Sequence, residues 1–141
     1  RYGLSIAQIV AAKRGEDITL EDGQIIPNDE LTYIPYQARS YAYLSDTAYS
    51  AKAAERVHGV DLLYHETTYS TSEAMFAKGR GHSTTIEAAK VAAKAEAKRL
   101  IIGHFSSRYK SHETLVEECR TIFPNSDIAA EGMTFNIEEK R

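Results

Sequence analysis

Four short apolar runs, each followed by polar residues, recur along the chain and constrain its fold. They occupy residues 41–44, 61–64, 100–103 and 127–130. Runs of this length predict strands, and the stretches at 50–58, 71–78, 84–97 and 111–122 carry helical patterns. Strands that alternate with helices are typical of a layered α/β sheet. The sequence therefore predicts the α/β class.

The two ends of the chain carry further local signals. Residues 4–14 predict a helix that ends at Gly15, and residues 17–27 predict a hairpin because Asp22-Gly23 lies between two apolar pairs. Residues 28–38 are expected to be a connecting loop. At the other end, the alternating residues 133–137 predict a closing strand, and residues 138–141 a solvated charged tail.

Composition sets limits on the class of protein. A length of 141 residues suits one domain, and 43% apolar with 26% charged residues indicates a folded chain. The net charge of −3 argues against a broad basic surface, although a local patch stays possible. No apolar run reaches membrane-spanning length. The single cysteine, Cys119, cannot form an internal disulfide, so we expect a cytoplasmic protein.

Acidic and histidine residues follow the predicted strands. Because the carboxyl ends of parallel strands meet at one edge of a sheet, these side chains are expected to lie close together. They are Asp46, His65, Glu66, His104 and Glu131, joined by His82 from the start of the helix at 84–97. Carboxylate and imidazole ligands without cysteine suit zinc or manganese, and an aspartate can bridge two ions.

Each of these residues also has a structural explanation. Asp46 could cap a helix, His65 could be a core histidine, and Glu66 could be a surface charge. In the segment after His104, Arg108 carries a forked donor suited to phosphate or carboxylate, but a polar surface loop would look similar. Only the joint occurrence at strand ends favours a hydrolytic metal site.

Five sequence boxes together resemble the C-terminal half of ribonuclease Z, an endonuclease that trims the 3′ trailer of precursor tRNA. The boxes are Ser45-Asp46-Thr47, His65-Glu66-Thr67-Thr68, Gly81-His82-Ser83-Thr84, His104-Phe105-Ser106-Ser107-Arg108-Tyr109 and Ala130-Glu131-Gly132-Met133. The resemblance extends from about Asp17 onward. It implies half of a metallo-β-lactamase-type four-layer αββα sandwich.

The resemblance also implies roles for individual residues. Asp46 corresponds to the aspartate that bridges two zinc ions, and His104 to the last histidine ligand. Glu66 and His82 correspond to the pair that relays a proton to the leaving oxygen. Further positions in the same boxes are implied as substrate contacts or additional site residues: Ser106 and Arg108 at the scissile phosphate, Glu131 in a tRNA-contacting loop, and His65, Ser83 and Tyr109.

The chain departs from the family pattern in four respects. Thr67 replaces an alanine, which we expect to be tolerated. Glu131 stands where the family usually has aspartate or a similar residue. The His-x-His-x-Asp-His motif that supplies most zinc ligands is absent, as is the basic arm that grips tRNA. We therefore expect a C-terminal portion that neither holds two ions firmly nor cleaves RNA unless the missing N-terminal half is supplied.

The resemblance implies precursor tRNA as substrate and a homodimer as assembly. Two other functions stay open at this point. The first is another hydrolase of the metallo-β-lactamase fold, such as an arylsulfatase-like enzyme or a cyclic-nucleotide phosphodiesterase. The second is a non-catalytic interaction module that associates through an exposed apolar surface.

Overall fold

A computed structural model describes residues 2–33 and 38–138, which form two compact units. The first unit extends to Ala38, and the second covers Arg39–Glu138. Composition gives no sign of this division.

The first unit contains a helix, a hairpin and a short second helix. The helix α1 covers Ile6–Lys13, and the strands β1 (Ile18–Thr19) and β2 (Ile25–Ile26) pair antiparallel, which confirms both predictions. The expected loop is instead helical over Asn28–Leu31, here α2. The Asn28 side chain donates to the carbonyl groups of Ala12 and Glu16, and these tertiary contacts fix the turn. Residues 34–37 of the predicted loop lie outside the described residues.

The second unit is built on a parallel sheet of four strands. They are β3 (Tyr41–Leu44), β4 (Leu62–Glu66), β5 (Leu100–Gly103) and β6 (Ser126–Ile128), and they lie side by side in chain order. The connecting helices are α3 (Ala51–Arg56), α4 (Ala74–Arg80), α5 (Thr85–Lys94) and α6 (Glu113–Arg120), with a 3-10 turn at Thr71–Glu73. The predicted α/β class is confirmed.

One face of the sheet carries the core. Leu63, Leu100 and Ile102 pack there with apolar residues of α3, α5 and α6, and Cys119 is buried among them. On the other face Tyr41, Leu62, Tyr64 and Ile101 line a groove together with Met133, Phe135 and Ile137. Among the described residues no helix is both long and apolar enough to cross a membrane.

Two predictions about strands are wrong, one about where β4 ends and one about a strand at residues 133–137. The strand β4 continues to Glu66 instead of ending at Tyr64, because its last two residues pair with β5 and are buried. Residues 133–138 form no strand. Their alternation reflects packing instead, since Phe135 and Ile137 line the groove and are half-buried whereas Thr134 and Asn136 are exposed. Only Glu138 of the predicted charged tail belongs to the described residues.

Candidate metal and proton-transfer site

Asp46 and His104 meet at the carboxyl edge of the sheet. Asp46 follows β3 and His104 follows β5, and Asp46 Oδ1 lies 3.3 Å from His104 Nε2. Both residues have left-handed backbones, with φ of 49° and 58°. This conformation is unfavourable outside glycine and concentrates at functional sites. Asp46 is not a helix cap, because Ser50 caps α3.

The helix α5 brings His82 to the same edge. Thr84 and Glu87 form the capping box that begins this helix. The buried Ser83 donates from Oγ to the Thr47 carbonyl at 2.6 Å, which joins the start of α5 to the loop after Asp46. The ring of His82 lies 5.4 Å from that of His104. One ligating atom each from Asp46, His82 and His104 lies within 4.8 Å of the others.

Glu66 is the buried carboxylate beneath these residues. Its Oε1 accepts from the Thr47 N–H at 2.8 Å and contacts His82 Nδ1 at 2.8 Å. Its Oε2 accepts from the Thr68 N–H at 3.2 Å and the Thr68 hydroxyl at 2.6 Å. Burial alone would raise the pKa of Glu66, but hydrogen bonds from Thr68, His82, Thr47 and Ser83 outweigh burial and lower this pKa below its ordinary value. Glu66 is therefore an ionised acceptor and not a surface charge.

His65 is separate from this cluster. It lies two residues after Leu63 in β4, on the helix-covered face, and its side chain is buried. Burial lowers the pKa of His65, so the ring is neutral, and Nδ1 donates to the Glu66 carbonyl at 2.7 Å. These contacts fit the alternative of a core histidine.

The loop after His104 is fixed against the end of β4. The Ser106 N–H donates to the Thr68 carbonyl at 3.1 Å, and the Tyr109 hydroxyl accepts from the Ser70 N–H at 2.8 Å. The same hydroxyl donates to the Glu73 carboxylate. The loop therefore sits next to the site that Glu66 supports.

Arg108 is held by several neighbours in this loop. Its guanidinium pairs with Glu73, and its Nε donates to the Ser106 hydroxyl at 3.2 Å. It lies over the rings of Tyr69 and Phe76, 5.2 and 5.6 Å from their centroids. The hydrogen bond from Tyr109, followed by the contacts with Arg108, lowers the pKa of Glu73. Arg108 is thus a positioned cation beside the site.

The structure brings together Asp46, Glu66, His82 and His104. Glu131 lies in an exposed turn after β6, and within residues 2–33 and 38–138 no hydrogen bond or ion pair connects it to this cluster.

Sequence reasoning missed Thr47, Thr68 and Glu73 as members of the network. The position of Thr68 two residues after Glu66 was a usable signal, since alternation places both on one side of an extended chain. Glu73 offered no such signal, because its partners lie more than 30 positions away.

Asp46 and His104 fit a divalent cation. A carboxylate and an imidazole are N/O donors of the kind that binds zinc or manganese, and His82 lies within 4.8 Å of both as a neighbouring imidazole. Glu66 engages Nδ1 of His82, and an imidazole held at one nitrogen can transfer a proton from the other.

Comparisons with known proteins identify the fold. The sequence model of the beta-lactamase superfamily domain matches residues 13–105. The metallo-beta-lactamase fold protein YhfI from Bacillus subtilis superimposes with a TM-score of 0.65 at 24% identity, over 70% of this chain and 40% of that protein. This likeness confirms the metallo-β-lactamase fold expected from the sequence.

Curated relatives named Ribonuclease Z are similar to nearly the whole chain. The protein from Phocaeicola vulgatus is 42% identical over 137 residues, which is 97% of this chain and 44% of the relative. The protein from Anoxybacillus flavithermus is 45% identical over 130 residues, which is 91% of this chain and 42% of the relative. The chain therefore spans less than half the length of these relatives. With most of its length matched by the family's sequence model, the chain belongs to the beta-lactamase superfamily.

Proposed function

We propose that the chain is the C-terminal part of a metal-dependent endoribonuclease that removes the 3′ trailer from precursor tRNA and leaves a 3′-hydroxyl. The similarity to proteins named Ribonuclease Z supports this substrate class. The observation that carries the proposal is the 2.8 Å contact between Glu66 Oε1 and His82 Nδ1, beside the facing ligand atoms of Asp46 and His104. A proton-transfer pair next to a metal site is what phosphodiester hydrolysis requires.

Asp46 and His104 would hold zinc, with manganese as the alternative, and Asp46 would bridge two ions in the complete enzyme. An ion there supplies polarisation of a phosphoryl oxygen and activation of a water nucleophile. We propose that the remaining ligands come from an N-terminal half, since relatives are more than twice as long as the chain.

His82 is the proposed proton donor. The ionised Glu66 takes the hydrogen bond from Nδ1, which orients the ring and leaves Nε2 to hold the proton that passes to the leaving oxygen. Ser83 secures this arrangement because its hydroxyl ties the start of α5 to Thr47, whose N–H also binds Glu66.

Arg108 and Ser106 are the proposed contacts to the scissile phosphate. A guanidinium matches phosphate through paired donors, and Arg108 is held next to the site by Glu73 and by aromatic rings. Tyr109 supports the loop through Ser70. A role for His65 in the site and a contact of Glu131 with substrate stay predictions, as do the homodimer and the cytoplasmic location.

The enzymatic proposal is tested with the full-length protein on precursor tRNA and on bis-p-nitrophenyl phosphate. We expect His82→Gln to lower kcat on tRNA by about 10²–10⁴-fold, the range for a general acid. His58→Gln is the matched control, because His58 is an exposed histidine paired only weakly with Glu96, at 4.0 Å. Cleavage confined to the small ester would identify a different hydrolase of this fold. Absence of both activities would favour the interaction module.

The proposed need for a second half to complete the metal site is tested separately. A zinc titration of the 141-residue chain should show fewer than two tight sites, and the chain alone should not cleave precursor tRNA. Two tight zinc sites in the isolated chain would contradict this part of the proposal.

A further inference from the structure

We propose that the hydroxyl of Thr68 is a positioning group that fixes the tautomer of His104. It would do so by linking His104 to the same carboxylate, Glu66, that orients His82. The inference deepens the proposed function, on which it rests, because it states how His104 is prepared to bind a metal ion.

Glu66 is surrounded by hydrogen-bond donors. Its side chain is buried, and each carboxylate oxygen already accepts from a backbone N–H, Oε1 from Thr47 at 2.8 Å and Oε2 from Thr68 at 3.2 Å. A backbone N–H can only donate, so both oxygens of Glu66 act as acceptors. The contact with His82 Nδ1 at 2.8 Å therefore requires a hydrogen on that nitrogen, and the contact with Thr68 Oγ1 at 2.6 Å requires the threonine proton.

The Thr68 hydroxyl also contacts His104. A threonine hydroxyl has one proton, and the proton of Thr68 is already donated to Glu66. The other short contact of Oγ1, to His104 Nδ1 at 2.9 Å, must then be a hydrogen bond that the histidine donates. His104 consequently carries its proton on Nδ1. The contact of Oγ1 with His82 Nδ1 is longer, at 3.3 Å, and that nitrogen already donates to Glu66.

The proton on Nδ1 decides what the other nitrogen of the His104 ring can do. With the proton on Nδ1, the lone pair lies on Nε2, which is 3.3 Å from Asp46 Oδ1. Two acceptors that face each other at this distance repel unless a cation lies between them. This is the tautomer that metal binding requires. The opposite tautomer would place N–H on Nε2 and let His104 donate to Asp46 instead.

Thr68 therefore connects the Glu66 carboxylate to a second histidine. Glu66 orients His82 directly and His104 through the threonine hydroxyl. A ligating histidine generally donates its other ring N–H to a partner that accepts it, and this contact fixes which nitrogen can bind the metal. Here the requirement would be met by a hydroxyl bound to the residue that serves the proton donor.

The tautomer is measured directly in the full-length, metal-free protein with ¹⁵N-labelled histidine. Long-range ¹H–¹⁵N correlation at about pH 8.5, above the ordinary pKa of histidine, distinguishes Nδ1–H from Nε2–H. We expect the Nδ1–H form for His104 in the wild type and in Thr68→Ser. In Thr68→Val the acceptor is lost, and we expect the Nε2–H form. An Nε2–H wild type would overturn the inference without any variant.

Metal affinity provides the second readout, with zinc as the probe. We expect Thr68→Val to weaken zinc binding by about 10–100-fold, as the loss of such outer partners does, and Thr68→Ser to retain it. Thr67→Val is the matched control, because this adjacent buried threonine donates to the Gly103 carbonyl at 3.3 Å and, among the described residues, forms no hydrogen bond with His82 or His104. Equal affinity in the two valine variants would also overturn the inference. A correct tautomer without tRNA cleavage would refute the enzymatic proposal alone.

Discussion

Replacement of Glu66 by glutamine tests the buried carboxylate on which the site depends. Each oxygen of Glu66 receives two donors, from Thr47 and His82 on one side and from the Thr68 N–H and hydroxyl on the other. In E66Q one of these atoms becomes an NH₂ group. The smallest rearrangement turns this group toward Thr68, whose hydroxyl can rotate and accept, but the Thr68 N–H then faces another donor.

The size of the effect follows from this count of hydrogen bonds. A buried N–H without an acceptor costs about 1–3 kcal/mol, and the two bonds from Thr47 and His82 lose charge assistance of about 1 kcal/mol each. Burial of a neutral amide instead of a charge recovers part of the sum. We expect the free energy of unfolding of E66Q to fall by roughly 2–4 kcal/mol at neutral pH.

The effect should depend on pH in a defined direction. Because the pKa of Glu66 is lower in the folded than in the unfolded protein, its ionised form stabilises the fold above the ordinary glutamate pKa of about 4.3. This stabilisation is lost as the pH falls through the lowered pKa of the folded state. The difference in unfolding free energy between wild type and E66Q should therefore be largest near pH 7 and shrink in acid.

Urea unfolding at pH 7 and at several acidic pH values measures this difference. Glu117→Gln is the matched control, because Glu117 is an exposed carboxylate paired with Arg120 on the surface of α6, and such substitutions change stability by about 0.5 kcal/mol or less. A loss in E66Q no larger than that of the control would refute the reasoning. So would a difference that stays constant across the pH range.

Two further substitutions test neighbours of the site. A Cβ at Gly103 would meet the Tyr64 ring, 2.9 Å from Cζ, so Gly103→Ala should lower the unfolding free energy in urea by about 1–3 kcal/mol. Adding Tyr64→Leu should recover part of that loss, and strictly additive effects would contradict the predicted clash. Glu73→Gln should weaken RNA binding in a low-salt filter assay by about 2–5-fold, because the carboxylate that holds the guanidinium of Arg108 next to the site is lost. Stronger binding would instead show that Glu73 competes with the substrate for Arg108.

The sequence predicts the sheet well because its signals are local. Each apolar run and each helical stretch carries its own pattern, and the Asp22-Gly23 turn fixes the hairpin. The end of β4 is predicted poorly because His65 and Glu66 look like loop residues. The burial of Glu66 depends on donors from Thr47 and His82, which are distant in sequence.

The candidate site shows the same division between local and long-range information. Strand ends and the start of α5 are visible in the sequence, so the approach of Asp46, His82 and His104 could be expected. The direction of each hydrogen bond could not, because it depends on the ionisation of Glu66 and on one threonine proton. Likewise, the alternation at 133–137 indicates an extended segment but not whether it pairs with a strand or packs on the sheet.

The left-handed backbones of Asp46 and His104 imply that the proposed metal site lowers the stability of the folded protein. Glycine adopts such angles freely, whereas other residues adopt them at a cost of about 1–2 kcal/mol, somewhat less for aspartate. Exchange of either residue for glycine would thus remove a proposed ligand while relieving strain in the backbone. Selection for folding stability alone would favour glycine at both positions, and the proposed metal ligands would be lost. The presence of Asp46 and His104 at these strained positions therefore fits the ligand roles proposed for them.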